Sequence, residues 1–224
     1  LTGKDDAFSV KGEYTNADWV AALEYTEVGD AFNPEVGFLS RSGYRKYLGR
    51  VLRRIRPDNL WRLFEVRPHI FYRSFWDFDG FQESGFLHMD SHWEFRSSRE
   101  IHTAVNIKTD GVKEPFEIIP GVTILPGTYD ESEVHLVYAG NKSKPLNFGL
   151  SATVGGIFGG DRISLAPSVR YRVGEKFSSE LAYSYNDLEL PVPGGSFTAN
   201  LASLRLSYSF TPKMLLQLLT TYNE

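Results

Sequence analysis

The sequence predicts an all-β chain, folded as a transmembrane antiparallel up-and-down β-barrel with about twelve strands in this chain, itself part of a larger barrel. Three observations carry that expectation. Apolar and polar residues alternate with period two, the signature of strands with unlike faces. The alternating runs last about ten residues or more, whereas an ordinary globular strand lasts about five or six and a tilted bilayer crossing needs about nine to eleven. Tight and longer connections follow one another in strict alternation, as they do when every second turn lies at the same end of a barrel.

The strands are clearest toward the C-terminus. In the run 197–210, Leu204, Leu206, Tyr208 and Phe210 share one face, while Ser203, Arg205, Ser207 and Ser209 share the other. The run 163–173 opposes Ile163, Leu165, Val169, Tyr171 and Val173 to Ser164, Ala166, Ser168, Arg170 and Arg172. Between these runs, Leu181, Tyr183 and Tyr185 alternate with Glu180, Ala182, Ser184 and Asn186. Tight polar connections are expected at 15–18, 56–59, 96–99, 141–144, 174–176 and 211–213, all rich in residues that set or solvate turn dihedrals. The intervening connections, mostly longer, fall at 29–43, 77–81, 110–131, 158–161 and 187–196. Pro68 and Pro167 sit inside expected strands and count against them, because proline has no N–H to give a ladder. Arg50, Arg53 and Arg54 put charge on both faces of 44–55, which suggests a bulge or a strand end standing above the membrane. Aromatic residues near strand ends, among them Tyr14, Trp19, Tyr25, Trp76, Phe158, Phe197 and Tyr222, fit girdles at two membrane interfaces.

Composition is consistent with this reading. The 224 residues suffice for one large all-β domain, and 42% hydrophobic with 14% aromatic residues is too polar for a helical membrane protein and too apolar for a disordered chain. A net charge of −4 gives no nucleic-acid footprint. The absence of cysteine removes disulfides, thiolate metal sites and cysteine nucleophiles together. The opening Leu1-Thr2-Gly3-Lys4 is neither an initiator methionine nor a signal peptide, so it reads as a mature terminus or a cut through a longer chain.

Two motifs carry a resemblance. One runs from Tyr25 through Val28-Gly29-Asp30-Ala31-Phe32-Asn33-Pro34-Glu35-Val36-Gly37-Phe38 to Leu39, followed by Arg41, Gly43, Tyr44 and Arg45. The other is Pro115-Phe116-Glu117-Ile118-Ile119-Pro120-Gly121-Val122 with Pro126-Gly127-Thr128-Tyr129. Both resemble a family of bacterial outer-membrane proteins classed as domain of unknown function 5916. The resemblance implies the C-terminal barrel of a protein that usually carries an N-terminal carbohydrate-binding module like family nine. That module is not visible here, so carbohydrate is expected as a partner only through a domain outside this sequence. No catalytic residues of the family can be carried over. The resemblance also implies a fragment, and Thr221-Tyr222-Asn223-Glu224 lacks the terminal aromatic usual on a last outer-membrane strand.

Polar residues collect on one strand pair. Alternation puts His88, Asp90, His92 and Glu94 on one face, with Leu87, Met89, Trp93 and Phe95 on the other. Across the turn at 77–80 stand Glu65, Arg67, His69 and Arg73, in a register that sets His69 near Asp90 or His92 and Arg67 near His92 or Glu94. A His-Asp-His divalent metal site is chemically conceivable. A wall of paired acids and bases is the reading adopted, with no metal and no cofactor. Arg170, Arg172 and Arg205, with Glu180, belong to the same inner face, either tuning passage of solutes or forming a ladder of cross-strand ion pairs. Asn33, Pro34, Glu35 and Phe38 belong to a loop expected to pack inward or to cover a partner surface. Ile118, Ile119 and Tyr129 belong to a second apolar loop expected to fold over the barrel mouth or dock a neighbouring subunit.

The functional expectation is an outer-membrane channel, porin-like, or a membrane anchor for a carbohydrate-binding domain or partner complex. Its expected partners are outer-membrane lipid and other subunits of a membrane complex, not nucleic acid. The alternatives are a barrel-embedded hydrolase using the His88, Asp90 and His92 face, and a soluble all-β binding protein. No phosphate-binding loop, nucleophile elbow or zinc-protease spacing supports an enzyme.

Overall fold

The computed structural model describes residues 3–223 and is all-β, with no helix among them. Twelve strands make one antiparallel sheet: β1 (Ala7–Thr15), β2 (Trp19–Val28), β3 (Tyr44–Arg53), β4 (Leu63–Trp76), β5 (Gln82–Phe95), β6 (Glu100–Val112), β9 (Gly127–Ala139), β10 (Leu146–Ile157), β11 (Gly160–Val173), β12 (Phe177–Glu189), β13 (Ser196–Thr211) and β14 (Met214–Asn223). Two short strands, β7 (Phe116–Ile119) and β8 (Val122–Ile124), pair only with each other. Each strand of the large sheet lies beside its predecessor, with the β7–β8 hairpin inserted between β6 and β9. The sheet is not closed: β1 and β14 each have a single neighbour.

The alternation becomes two unlike faces. One cross-strand row runs Tyr14, Ala21, Val51, Ile70, Met89, Val105, Val134, Val154 and Ile163, directly paired from β1 to β11. These large side chains stand out to solvent, with Val105 41% exposed, Val134 59% and Val154 53%. One residue along, the opposite face carries the row His69, Asp90, Ala104, His135, Thr153, Ser164 and Asn186. There Ala104, Asp90 and Thr153 are buried. The polar face is thus the sheltered one, an inversion of the ordinary rule that apolar residues go inside.

The tight turns close near where expected except the one at 56–59, where the connection between β3 and β4 spans 54–62. Asn59, Ser98 and Gly174 take positive φ (58°, 58° and 57°), a conformation Gly adopts freely and Asn readily. Both prolines are accommodated by gaps in the ladder. The β3–β4 pairing stops at Leu52↔His69 and resumes only as the bridge Ile55↔Val66, skipping the position opposite Pro68. The β11–β12 pairing likewise skips from Leu165↔Tyr185 to Ser168↔Ala182, across Pro167. A residue without an N–H leaves its neighbour's carbonyl unpaired, and the sheet tolerates the loss on one side of each proline.

Two expectations are corrected. β3 has no bulge: its register with β2 and β4 is unbroken, and Arg53 settles over the Trp19 ring at 5.2 Å. The region 110–131 is largely strand, since β6 extends to Val112, β9 starts at Gly127, and β7–β8 fills the interval. Phe158 and Phe197, two of the aromatics near strand ends, pack against a buried apolar cluster. In that cluster Val112, Val122, Ile124 and Leu190 are buried against Ile118, Ile119, Tyr129, Phe158 and Phe197.

Candidate functional site on the sheltered face

The polar wall is built by register. Within β4–β5, Arg67 lies opposite His92, His69 opposite Asp90, and Phe71 opposite His88. Across the tight turn at 96–99, His92 lies opposite His102, and Glu94 opposite Glu100. Side chains of β4, β5 and β6 therefore converge on one patch midway along the strands.

Arg67 organises the lower half of the patch. Its guanidinium donates to Glu94 Oε2 at 3.0 Å, to Glu100 Oε1 at 2.6 Å and to Glu65 Oε1 at 3.3 Å. Glu65 is buried, and its second oxygen meets the Arg56 guanidinium at 2.8 Å. A planar guanidinium with five donors suits this arrangement better than a lysine would, because its donors diverge in a fixed plane.

The histidines occupy the upper half. Asp90 is buried and accepts from the Thr103 backbone N–H through Oδ1 at 3.1 Å. Its other oxygen, Oδ2, faces His92 Nε2 at 3.1 Å and His88 Nε2 at 3.5 Å. His69 completes the group, with its ring centroid 5.1 Å from that of His88 and 5.2 Å from that of His92. His92 also stacks on His102, centroids 3.6 Å apart and planes 18° from parallel.

From His88 a polar chain runs along the wall. Its Nδ1 lies 2.6 Å from Asn106 Oδ1, the Asn106 amide donates to Glu133 at 2.8 Å, and Arg162 donates to Glu133 Oε2 at 2.6 Å. Lys108 bridges Glu131 and Glu133 at 3.4 and 3.1 Å. Buried carboxylates therefore have cationic or amide partners, which offsets the cost of desolvating them.

Other expected residues lie elsewhere. Arg73 shares the face but stands outside the acid–base patch, over the rings of Phe71 and Phe75 at 5.9 Å. Glu180 sits in register between Arg170 and Arg205, but all three are exposed and close no ion pair among the described residues. Arg172 instead donates to the Ser143 carbonyl at 3.1 Å. Inward packing of the tip of the first apolar loop is not seen: Asn33 and Glu35 are exposed, Val36 is 95% and Phe38 93% exposed, while Phe32, Pro34 and Leu39 are half-covered. The second loop does fold back on this chain, placing Ile118, Ile119 and Tyr129 in the cluster described above.

Glu100, His102, Asn106, Lys108, Glu133 and Arg162 were not among the expected residues. The signal was present for the first four. From Glu100 to Lys108 every second residue but Ala104 is polar or charged, and the 96–99 turn sets their register against β5. No protein-family model matches the sequence, and no curated protein is significantly similar to it.

Proposed function

We propose that this sheet is a wall of a bacterial outer-membrane β-barrel that passes small polar solutes along its sheltered face. One observation carries the reading: apolar side chains, all large and exposed but Ala21, form a continuous row from β1 to β11, backed from β2 to β10 by a largely half-buried to buried face that carries the charged, hydrogen-bonded wall. In water that arrangement costs free energy at every row, at about 25 cal/mol for each Å² of apolar surface left wet. In a bilayer the cost reverses, since alternate residues meet hydrocarbon and the others meet a hydrated lumen. Within the large sheet, strands of 10–16 residues from β2 onward match a tilted crossing. The unpaired edges of β1 and β14 also fit, because a lipid-facing sheet must close on itself, on further strands or on a second copy. The two motifs that resemble an outer-membrane barrel family point the same way.

A second reading, an anchor for a partner complex or carbohydrate-binding domain, draws support from Val36 and Phe38, which stand almost fully exposed on the long β2–β3 loop. Reconstitution separates the readings. Protein refolded into phosphatidylcholine vesicles is expected to float with them, resist alkaline extraction and conduct ions across a planar bilayer. Flotation without conductance, even after removal of residues 113–126, would favour the anchor. A monodisperse protein in buffer without detergent would defeat both.

A further inference from the structure

We infer that His69, Asp90 and His92 bind one divalent transition-metal ion of the zinc type, with His88 standing beside them against the Asp90 carboxylate. The inference rests on the register of β4 and β5, not on the membrane reading, and holds wherever the sheet resides.

His69 Nδ1 lies 3.3 Å from the Arg67 carbonyl oxygen, His88 Nδ1 2.6 Å from Asn106 Oδ1, and His92 Nδ1 3.0 Å from Glu100 Oε1. The Asn106 amide group is turned by its own donation to Glu133, so its oxygen faces His88. All three partners are acceptors, so each imidazole spends its one neutral-state proton on Nδ1 and keeps a lone pair on Nε2. Two of those Nε2 atoms face Asp90 Oδ2, at 3.1 and 3.5 Å, and that oxygen is also an acceptor. Acceptors that close need a positive centre between them, either additional protons or a metal ion. The cluster of one carboxylate oxygen and ring nitrogens on one face has the donor chemistry of a zinc-type ion. A single ion among His69, Asp90 and His92 supplies that centre.

Geometry and charge agree. Ligand atoms of His69, Asp90 and His92 lie within 4.8 Å of one another. An ion with bonds of 2.0–2.2 Å in tetrahedral geometry wants its ligands roughly 3.3–3.5 Å apart, so small rotamer adjustments suffice. Each imidazole is already held through its far nitrogen by an oxygen, the outer support that metal-binding histidines nearly always have. Of the four carboxylates, Glu65, Glu94 and Glu100 share the two guanidiniums of Arg56 and Arg67, while Asp90 meets imidazoles alone, which leaves negative charge for a divalent ion to balance. A rival group, His92, Glu100 and His102, is equally compact. There the Arg67 guanidinium already occupies Glu100 Oε1 at 2.6 Å, which makes Glu100 a support for His92 instead of a ligand.

The test uses the full chain refolded in detergent micelles and stripped with chelator, titrated with Co²⁺ by visible absorption and with Zn²⁺ by competition. One ion per chain is expected, with the intense ligand-field bands of a four-coordinate nitrogen and oxygen site. His92→Ala and Asp90→Asn should each weaken binding by about 100-fold or more, and Glu100→Gln by about 10–100-fold as loss of outer support does. His135→Ala, on the same face but bonded to Thr153, should change nothing. No binding by the folded wild type would overturn the inference. So would unaltered affinity when His69, His88 and His92 are all alanine, or a loss with His135→Ala equal to that with His92→Ala. Circular dichroism checks that each variant folds; should Asp90→Asn not fold, His69→Gln takes its place, with the same weakening expected. Absence of conductance would leave the cobalt spectrum intact, so failure of this site and failure of the channel reading are distinguishable.

Discussion

Asp77 stands just past the end of β4, and its carboxylate ties two turns together by accepting from the Phe81 N–H at 2.7 Å and pairing with Lys113 at 2.8 Å. The Lys113 ammonium, helped by that amide, holds the Asp77 carboxyl below its ordinary value of 3.8. A carboxylate with a depressed folded pKa stabilises above its unfolded pKa and loses that contribution as pH falls through the folded value. The Phe81 amide proton shift is therefore expected to titrate with a midpoint below 3.8, and Lys113→Ala should raise that midpoint. An unchanged midpoint in the variant would remove the cause given. Gly111 makes a different residue-scale demand. A Cβ there would overlap the Gln82 carbonyl oxygen and lie 2.7 Å from the Phe81 ring. Gly111→Ala should cost about 1–3 kcal/mol in unfolding free energy, the usual range for forced overpacking. Side-chain identity was legible at this scale only where one turn fixed the pairing. His88, Asp90 and His92 could be set against Arg67 and His69 because the 77–80 turn gave their register. Asn106, Glu133 and Arg162 needed the order of four strands to meet.

At the scale of elements, the β7–β8 hairpin is the feature the sequence indicated least clearly. Its apolar residues marked it as something other than a free loop, but not as a pair of strands, since three or four residues carry too little alternation to count. The fold shows what the apolarity serves: Val122 and Ile124 are buried against Leu190, with Val112 in the same cluster. Ile124→Ala should remove about 2–5 kcal/mol from that cap. Because β7–β8 pairs with no strand of the large sheet, the loss should appear as faster proteolysis at 113–126, with the sheet's own unfolding transition unmoved. A drop in global stability of the same size would show the cap and sheet to be one cooperative unit. The prolines teach the complementary point. Pro68 and Pro167 were fair objections to the strands that contain them, and the sheet met them by omitting ladder bonds on one side while keeping register.

For the whole molecule, the deciding quantity is the environment of the apolar face. Val105 lies at the middle of that face, paired to Met89 and Val134. If lipid covers it, Val105→Arg should cost about 2–4 kcal/mol and block vesicle insertion, as charge at a bilayer midplane does. If water covers it, the same substitution should be neutral or improve solubility. Flotation of the variant with vesicles at wild-type efficiency would refute the lipid-facing assignment. The exposed leucines of β14, Leu215, Leu216, Leu218 and Leu219, lie on both faces of an edge strand, where further pairing would cover both them and the free backbone groups.

The sequence by itself determined the class of fold, the strand order and the two unlike faces, because period-two patterning and turn chemistry are local and repeat along the chain. It also narrowed His69 to Asp90 or His92 and Arg67 to His92 or Glu94, since a hairpin's register follows from its turn, and the fold sets His69 opposite Asp90 and Arg67 opposite His92. Only the tertiary structure decided that β7–β8 packs against the β12–β13 loop, that the loop holding Val36 and Phe38 stands free, and that Glu133 joins Asn106 to Arg162. Those outcomes depend on contacts between segments far apart in the chain, where no turn sets the distance and burial, not periodicity, chooses the partner.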